Sequence, residues 1–165
     1  MALQVDDAPF TLVTGASGFI GQALVNELFT RRVYCRAVVR TASSLLDGST
    51  SQFNVFPIGE IGTETDWTKA LINCDCVIHC AGRAHFMNES SAAFHNVYRS
   101  NNFDGTKQLA NQASQLGVRR LVFLSSVKVD GESTDDRESP FGYSNERIIH
   151  PPSDSYALSK WEAEQ

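Results

Sequence analysis

The sequence predicts an α/β fold, a doubly wound parallel sheet of the Rossmann type. Three observations predict it. Short apolar runs alternate with helical stretches about every 20–25 residues, the rhythm of βαβ units. A glycine loop, Gly15-Ala-Ser-Gly18-Phe-Ile-Gly21, follows the first run and opens the first helical stretch. Polar and small residues recur at the ends of later runs, where a parallel sheet gathers its ligand-binding edge.

Each element has its own signal. Phe10 to Thr14 reads as a buried strand. Phe19, Ile20, Ala23, Leu24 and Leu28 then recur at helical spacing. Val33–Val39 and Phe53–Ile58 read as the second and third strands. Asp66 to Leu71 reads as a short helix with an acidic cap. Cys76 to Cys80 is the fourth strand. Residues 92–116 read as one long helix, closed by Gly117. Arg120 to Ser125 is the fifth strand. Residues 130–153 are polar and turn-rich, a surface loop, and a last helix starts at Ser153-Asp154.

Composition excludes several classes. Of 165 residues, 42% are hydrophobic and 20% charged, which is globular rather than disordered. No apolar run is long enough for a membrane span. Fourteen basic against nineteen acidic residues leave a net charge of −5, unsuited to nucleic acid. The N-terminus lacks the basic start and apolar run of a signal peptide, so a cytoplasmic location is expected. Cys74, Cys76 and Cys80 stand in an apolar run. Strand alternation expects them on one face, with Val77 and His79 on the other. They read as reduced, packed thiols, and no metal site is expected.

The glycine loop carries the first chemistry. Glycines allow a tight turn and a close backbone approach to a pyrophosphate. The loop residues Gly15, Ser17, Gly18, Phe19, Ile20 and Gly21 are the candidate anion cradle at a helix start. The second strand ends in Val39-Arg40 rather than in an acid. An arginine fork suits a ribose 2′-phosphate, with Thr41 and Ser43 as further donors. NADP is therefore favoured over NAD. At the end of the fourth strand, Ala81 and Gly82 are small enough for a ribose to pass close to backbone.

Tyr156-Ala-Leu-Ser-Lys160 carries the second. Residues four apart share a helix face. An ammonium beside a tyrosine hydroxyl favours phenolate, so the tyrosine can act as acid or base. Ser125-Ser126 ends the fifth strand and offers a hydroxyl to a substrate oxygen. Asn101-Asn102 interrupts an otherwise apolar helical pattern, a candidate relay or water site.

These motifs, in this order, resemble the extended short-chain dehydrogenase/reductases, the NAD-dependent epimerase/dehydratase family. They are Thr14-Gly-Ala-Ser-Gly-Phe-Ile-Gly21, His79-Cys-Ala-Gly82, Asn101-Asn-Phe-Asp-Gly-Thr106, Leu121-Val-Phe-Leu-Ser-Ser126 and Tyr156-Ala-Leu-Ser-Lys160. The resemblance implies Tyr156 as acid/base, Lys160 as its partner and ribose ligand, Ser126 as the substrate-oxygen hydroxyl and Asn102 as the helix asparagine. It also implies Glu60 and Ile61 at adenine, with Glu60 standing where an aspartate is usual. Arg83-Ala-His85-Phe-Met-Asn-Glu89 and Ser159-Lys-Trp-Glu-Ala-Glu-Gln165 are similar to a bacterial subgroup from surface-polysaccharide pathways. Its members include UDP-4-keto-sugar reductases and proteins labelled UDP-glucose 4-epimerases. A UDP-sugar substrate and a homodimer through helices 92–116 and 154–165 are implied.

Three activities are open: a UDP-4-keto-sugar reductase, a UDP-sugar 4-epimerase with tightly held NAD, and a dinucleotide-binding domain without turnover. Asp130, where many epimerases carry tyrosine, leans toward the reductase. The family continues beyond its tyrosine–lysine helix into further strands and a substrate domain. Residues 1–165 are thus expected to be a C-terminally truncated Rossmann domain, weak in cofactor binding and poor in turnover.

Overall fold

A computed structural model describes residues 10–41, 50, 52–84, 92–130 and 151–165. Ser43, His85, Glu89 and most of the expected 130–153 loop lie outside the described residues. The strands are β1 (Phe10–Thr14), β2 (Cys35–Val39), β3 (Phe53–Pro57), β4 (Cys74–His79) and β5 (Arg120–Phe123). The helices are α1 (Phe19–Thr30), α2 (Ala92–Tyr98), α3 (Gly105–Gln115) and α4 (Ser155–Glu164). All strand pairs are parallel, in the order β3-β2-β1-β4-β5. The expected doubly wound sheet is present. Strand order reverses between β1 and β4, so a crevice opens at the C-terminal ends of those two strands.

Alternation along β1 builds a core on each face. Leu12 packs with Val38, Trp67, Leu71, Val77, Leu109 and Ala113. Its neighbour Val13 packs with Ala16, Val25, Ala37, Val39 and Phe53 on the α1 side. All four cysteines are free thiols, and burial pushes Cys35 up to about 12. Among the described residues no helix is long and apolar enough to cross a membrane.

Two local expectations fail, and a third is met with a local departure, each for a physical reason. Cys74 joins the same core cluster as Val77 rather than the opposite face. The β1–β4 register slips between Phe10 and Thr11, pairing Phe10 with Cys74 but Thr11 with Cys76. That irregularity absorbs one residue, and one extra residue inverts alternation. Ile78 and Cys80 then face the α1-side core.

Asp66–Leu71 is not a helix; residues 68–73 are turns. Side chains take several of its backbone groups instead. Asp66 accepts from the Thr68 N–H and hydroxyl. The Trp67 N–H donates to Gln112 at 2.7 Å, and Gln112 donates back to the Thr65 carbonyl at 2.9 Å. Such side-chain bonds compete with helix formation.

The long helix runs without a gap over 92–115 but widens into a π-helical segment, Arg99–Asp104, between α2 and α3. Asn101 donates from its side chain to the Val97 carbonyl at 3.1 Å, and the Thr106 hydroxyl donates to the Asn102 carbonyl at 2.5 Å. Those bonds occupy one carbonyl just before the widened turn and one within it. Its C-terminus is as expected: Gly117 takes φ +77°, and Val118 N–H donates back to the Ala113 carbonyl.

The start of α1 depends on glycine–glycine packing. A Cβ at Gly21 would run into the Gly15 carbonyl and Ala16 Cα, which are backbone and cannot rotate away. Gly21→Ala is expected to cost about 3 kcal/mol, the upper end for overpacking. A urea titration would show this as a lower midpoint with an unchanged slope.

Candidate functional site

A cleft of about 280 Å³ opens at the strand-order reversal. Gly15, Ser17 and Gly18 line one wall, and Arg40, Glu60 and Ile61 line one end. Ala81, Gly82, Arg83 and Asn101 line the other side. The glycine loop is held tightly against the β4 end. Gly15 takes φ +63°, and a Cβ there would lie 2.8 Å from the Ala81 backbone. The Ala16 N–H donates to the Val38 carbonyl at 3.2 Å, tying the loop to β2. No side chain caps the start of α1. Its first N–H groups are left for an anion. The side chains of Phe19 and Ile20 stay out of the cleft, 95% and 51% exposed. What these two residues offer an anion is therefore backbone.

Beneath the cleft lies a buried network that motif reading missed. His79 Nδ1 is 2.6 Å from Thr14 Oγ1, and Nε2 is 3.0 Å from Thr106 Oγ1. Thr106 spends its only hydroxyl proton on the Asn102 carbonyl. Nε2 must therefore carry the imidazole proton and donate to Thr106. Thr14 then donates to Nδ1, while its oxygen accepts the Ala81 N–H at 3.1 Å. Burial, and then the Lys160 charge, push His79 down to about 3. The ring is neutral and structural. Among the described residues, no cluster of three metal-ligating side chains forms.

The tyrosine–lysine helix packs beside this network. Asp154 caps α4 by accepting the Ala157 N–H at 2.8 Å. Lys160 is 3% exposed, with Nζ 4.0 Å from the centre of the Phe123 ring. A methyl at Gly82 would lie 3.7 Å from Lys160 Nζ and 3.4 Å from Asn102 Oδ1. Gly82 lines the cleft, so the lysine lies just behind the cleft wall there. Burial lowers Lys160 to about 8, against smaller opposing effects of Glu164 and Cys80. Tyr156, one turn earlier, sets its ring edge-on to Tyr98, centroids 5.9 Å apart.

Asn102 sits in the π-helical segment and is 1% exposed. Its Oδ1 accepts the Arg83 N–H at 2.8 Å. Its Nδ2 donates to the Arg83 carbonyl and to Ser159 Oγ, both at 3.0 Å. Its amide therefore clamps the strand-four exit to α4 rather than projecting into the cleft. Ser126 follows β5, and its hydroxyl accepts the Lys128 N–H at 3.3 Å. Ser125 Oγ is buried without a partner. The sequence points to the clamp asparagine, while Thr14, Thr106, Ser159 and Arg83 stand in its motifs without an assigned role.

Comparison with known proteins gives the family. Residues 11–165 match the NAD dependent epimerase/dehydratase family. The chain belongs to that family. A UDP-glucose 4-epimerase of Vibrio cholerae is 41% identical over 155 residues, 93% of this chain and 44% of that protein. The structure of MoeE5 with UDP-glucose and NAD superposes with a TM-score of 0.74 at 29% identity, covering 93% of this chain and 46% of that one. An Agrobacterium tumefaciens short-chain dehydrogenase/reductase superfamily protein with bound NAD gives 0.73 at 27% identity, covering 94% and 43%. The chain thus spans less than half the length of each of these relatives.

Two stability predictions follow from the buried groups of this family member. Folded Lys160 binds its proton less tightly than the unfolded lysine, about 8 against 10.5. Below pH 8 both states are charged, and the fold bears the full desolvation cost. Stability is regained as pH rises from 8 to 10.5. Lys160→Met is expected to stabilise the fold by about 2 kcal/mol at pH 7, and by little at pH 10.5. His79 is likewise depressed, about 3 against 6.5, so below pH 6.5 only the unfolded state gains its proton. Stability should fall by roughly 1.5 kcal/mol between pH 6.5 and 5 on this group's account. Urea midpoints across that window should be flatter in His79→Gln, even though that variant starts lower.

Proposed function

We propose that this chain supplies the dinucleotide cleft and the acid/base group of a nicotinamide-dependent enzyme that acts on a nucleotide sugar. The observation that carries the reading is one continuous cleft. It runs from Arg40 and Glu60, past the Gly15–Gly18 cradle, to Gly82 beside Lys160. A dinucleotide fits these residues. A Cβ at Gly15 would collide with Ala81, so the loop's shape is specific to glycine. The uncapped start of α1 suits a pyrophosphate, and the small Ala81 and Gly82 suit a ribose. When bound, the nicotinamide supplies or accepts the hydride.

The chain's own residues do the rest. Lys160 holds a positive charge at neutral pH beside Gly82, where it meets a ribose hydroxyl. Tyr156 delivers or removes the proton at the sugar C4 oxygen, and Ser126 holds that oxygen by its hydroxyl. Asn102 positions Arg83 and α4 and leaves chemistry to the others. The Arg40 guanidinium at the adenosine end supports NADP(H), and with it reduction of a UDP-4-keto sugar. The similarity to the Vibrio cholerae 4-epimerase supports the second reading, in which NAD stays bound and the hydride returns to the same carbon.

Two measurements check this. Tyr156→Phe is expected to lower turnover of a UDP-sugar by about 10²–10⁴-fold with dinucleotide binding kept. Full activity in that variant would remove the tyrosine from the mechanism. Mass spectrometry of cofactor released from the purified protein separates the two readings. Exchangeable NADPH is the outcome expected for a reductase, and retained NAD would favour the epimerase.

A further inference from the structure

Arg40 and Glu60 face each other at the adenosine end of the cleft. Backbone pairing puts them there. The Ile58 N–H donates to the Val39 carbonyl at 2.9 Å, and the Gly59 N–H donates to the Arg40 carbonyl at 3.1 Å. These bonds extend the β2–β3 ladder beyond its last strand residues. Gly59 then takes φ +82°, a turn that favours glycine, and the next side chain is Glu60. Arg40 Nη1 and Glu60 Oε1 meet at 3.0 Å. The side chains are 64% and 63% exposed, so the pair adds little to stability. Its consequence lies in what the cleft can bind.

We infer that Glu60 is a specificity-determining residue, opposing Arg40 at the ribose 2′ position so that the cleft admits NAD(H) as well as NADP(H). The inference rests on the dinucleotide reading above. A ribose 2′-hydroxyl can donate to the carboxylate and accept from the guanidinium, so the pair satisfies it whole. A 2′-phosphate can only accept, and it carries nearly two negative charges. It must draw Arg40 from Glu60 and then sit beside a carboxylate. Arginine alone would select NADP(H) strongly. The carboxylate cancels much of that preference and leaves the hydroxylated cofactor competitive.

The test is calorimetric titration of the purified protein with NADH and with NADPH, at low and high salt. Glu60→Gln keeps the size of the side chain and removes its charge, at a site exposed enough to leave the fold intact. It is expected to tighten NADPH roughly tenfold relative to NADH at low salt, and by less at high salt. Arg40→Gln is expected to weaken NADPH by a similar factor and NADH by much less, because the glutamine amide still donates to a 2′-hydroxyl but carries no charge for a phosphate. A Glu60→Gln ratio that stays constant or falls overturns the inference while leaving the dinucleotide reading standing. A wild-type protein that binds neither cofactor overturns that reading and the inference with it.

Discussion

The Thr14–His79 hydrogen bond is the contact on which the site depends. It joins β1 to β4, the two strands between which the sheet reverses its order. Thr14 also accepts the Ala81 N–H, and His79 reaches Thr106 on α3. One threonine and one histidine therefore fix both walls of the crevice and the helix behind it. A neutral ring is needed, because a charged imidazole would have to donate at both nitrogens, and Thr14 would lose its acceptor. Burial enforces that state. The same burial places the Lys160 ammonium in a dry setting close by, where its proton is held less tightly.

From this contact the rest of the cleft is steric. Gly15 lies against Ala81, and Gly21 against Gly15. Each step brings backbone nearer to backbone than a side chain allows. The cleft is thus shaped by absent side chains on the loop and by small residues at the β4 exit. Asn102 extends the frame to α4 through Arg83 and Ser159. The π-helical turn carries Asn102, so widening that helix and clamping α4 are one structural event.

Much of this was legible in the sequence, for identifiable reasons. The strands are short β-branched and apolar runs, and their pairing follows from a βαβ order. Gly15, Ser17, Gly18, Arg40, Ala81 and Gly82 stand out by their place after a strand, Glu60 and Ile61 by the family resemblance, and all of them line one cleft. What stayed hidden depends on distant partners. Thr14 and His79 are 65 residues apart, and no periodicity joins them. The register slip at Cys74 depends on β1, which sets the pairing. The Asp66 segment has a helical start signal, yet Gln112 on α3 captures its backbone groups. The Arg40–Glu60 pair joins residues that sequence reading gave to separate tasks, a phosphate and an adenine.

On the function proposed above, the crevice at the β1/β4 reversal, framed by Thr14 and His79, holds the dinucleotide. Hydrogen–deuterium exchange of the purified protein with and without saturating NADH or NADPH tests it most directly. Slowed exchange is expected in peptides covering 14–21, 58–62 and 79–83, with α1 beyond its first turns and β5 unchanged. Bound cofactor with protection elsewhere, and none in the glycine loop or at the β4 exit, would contradict it.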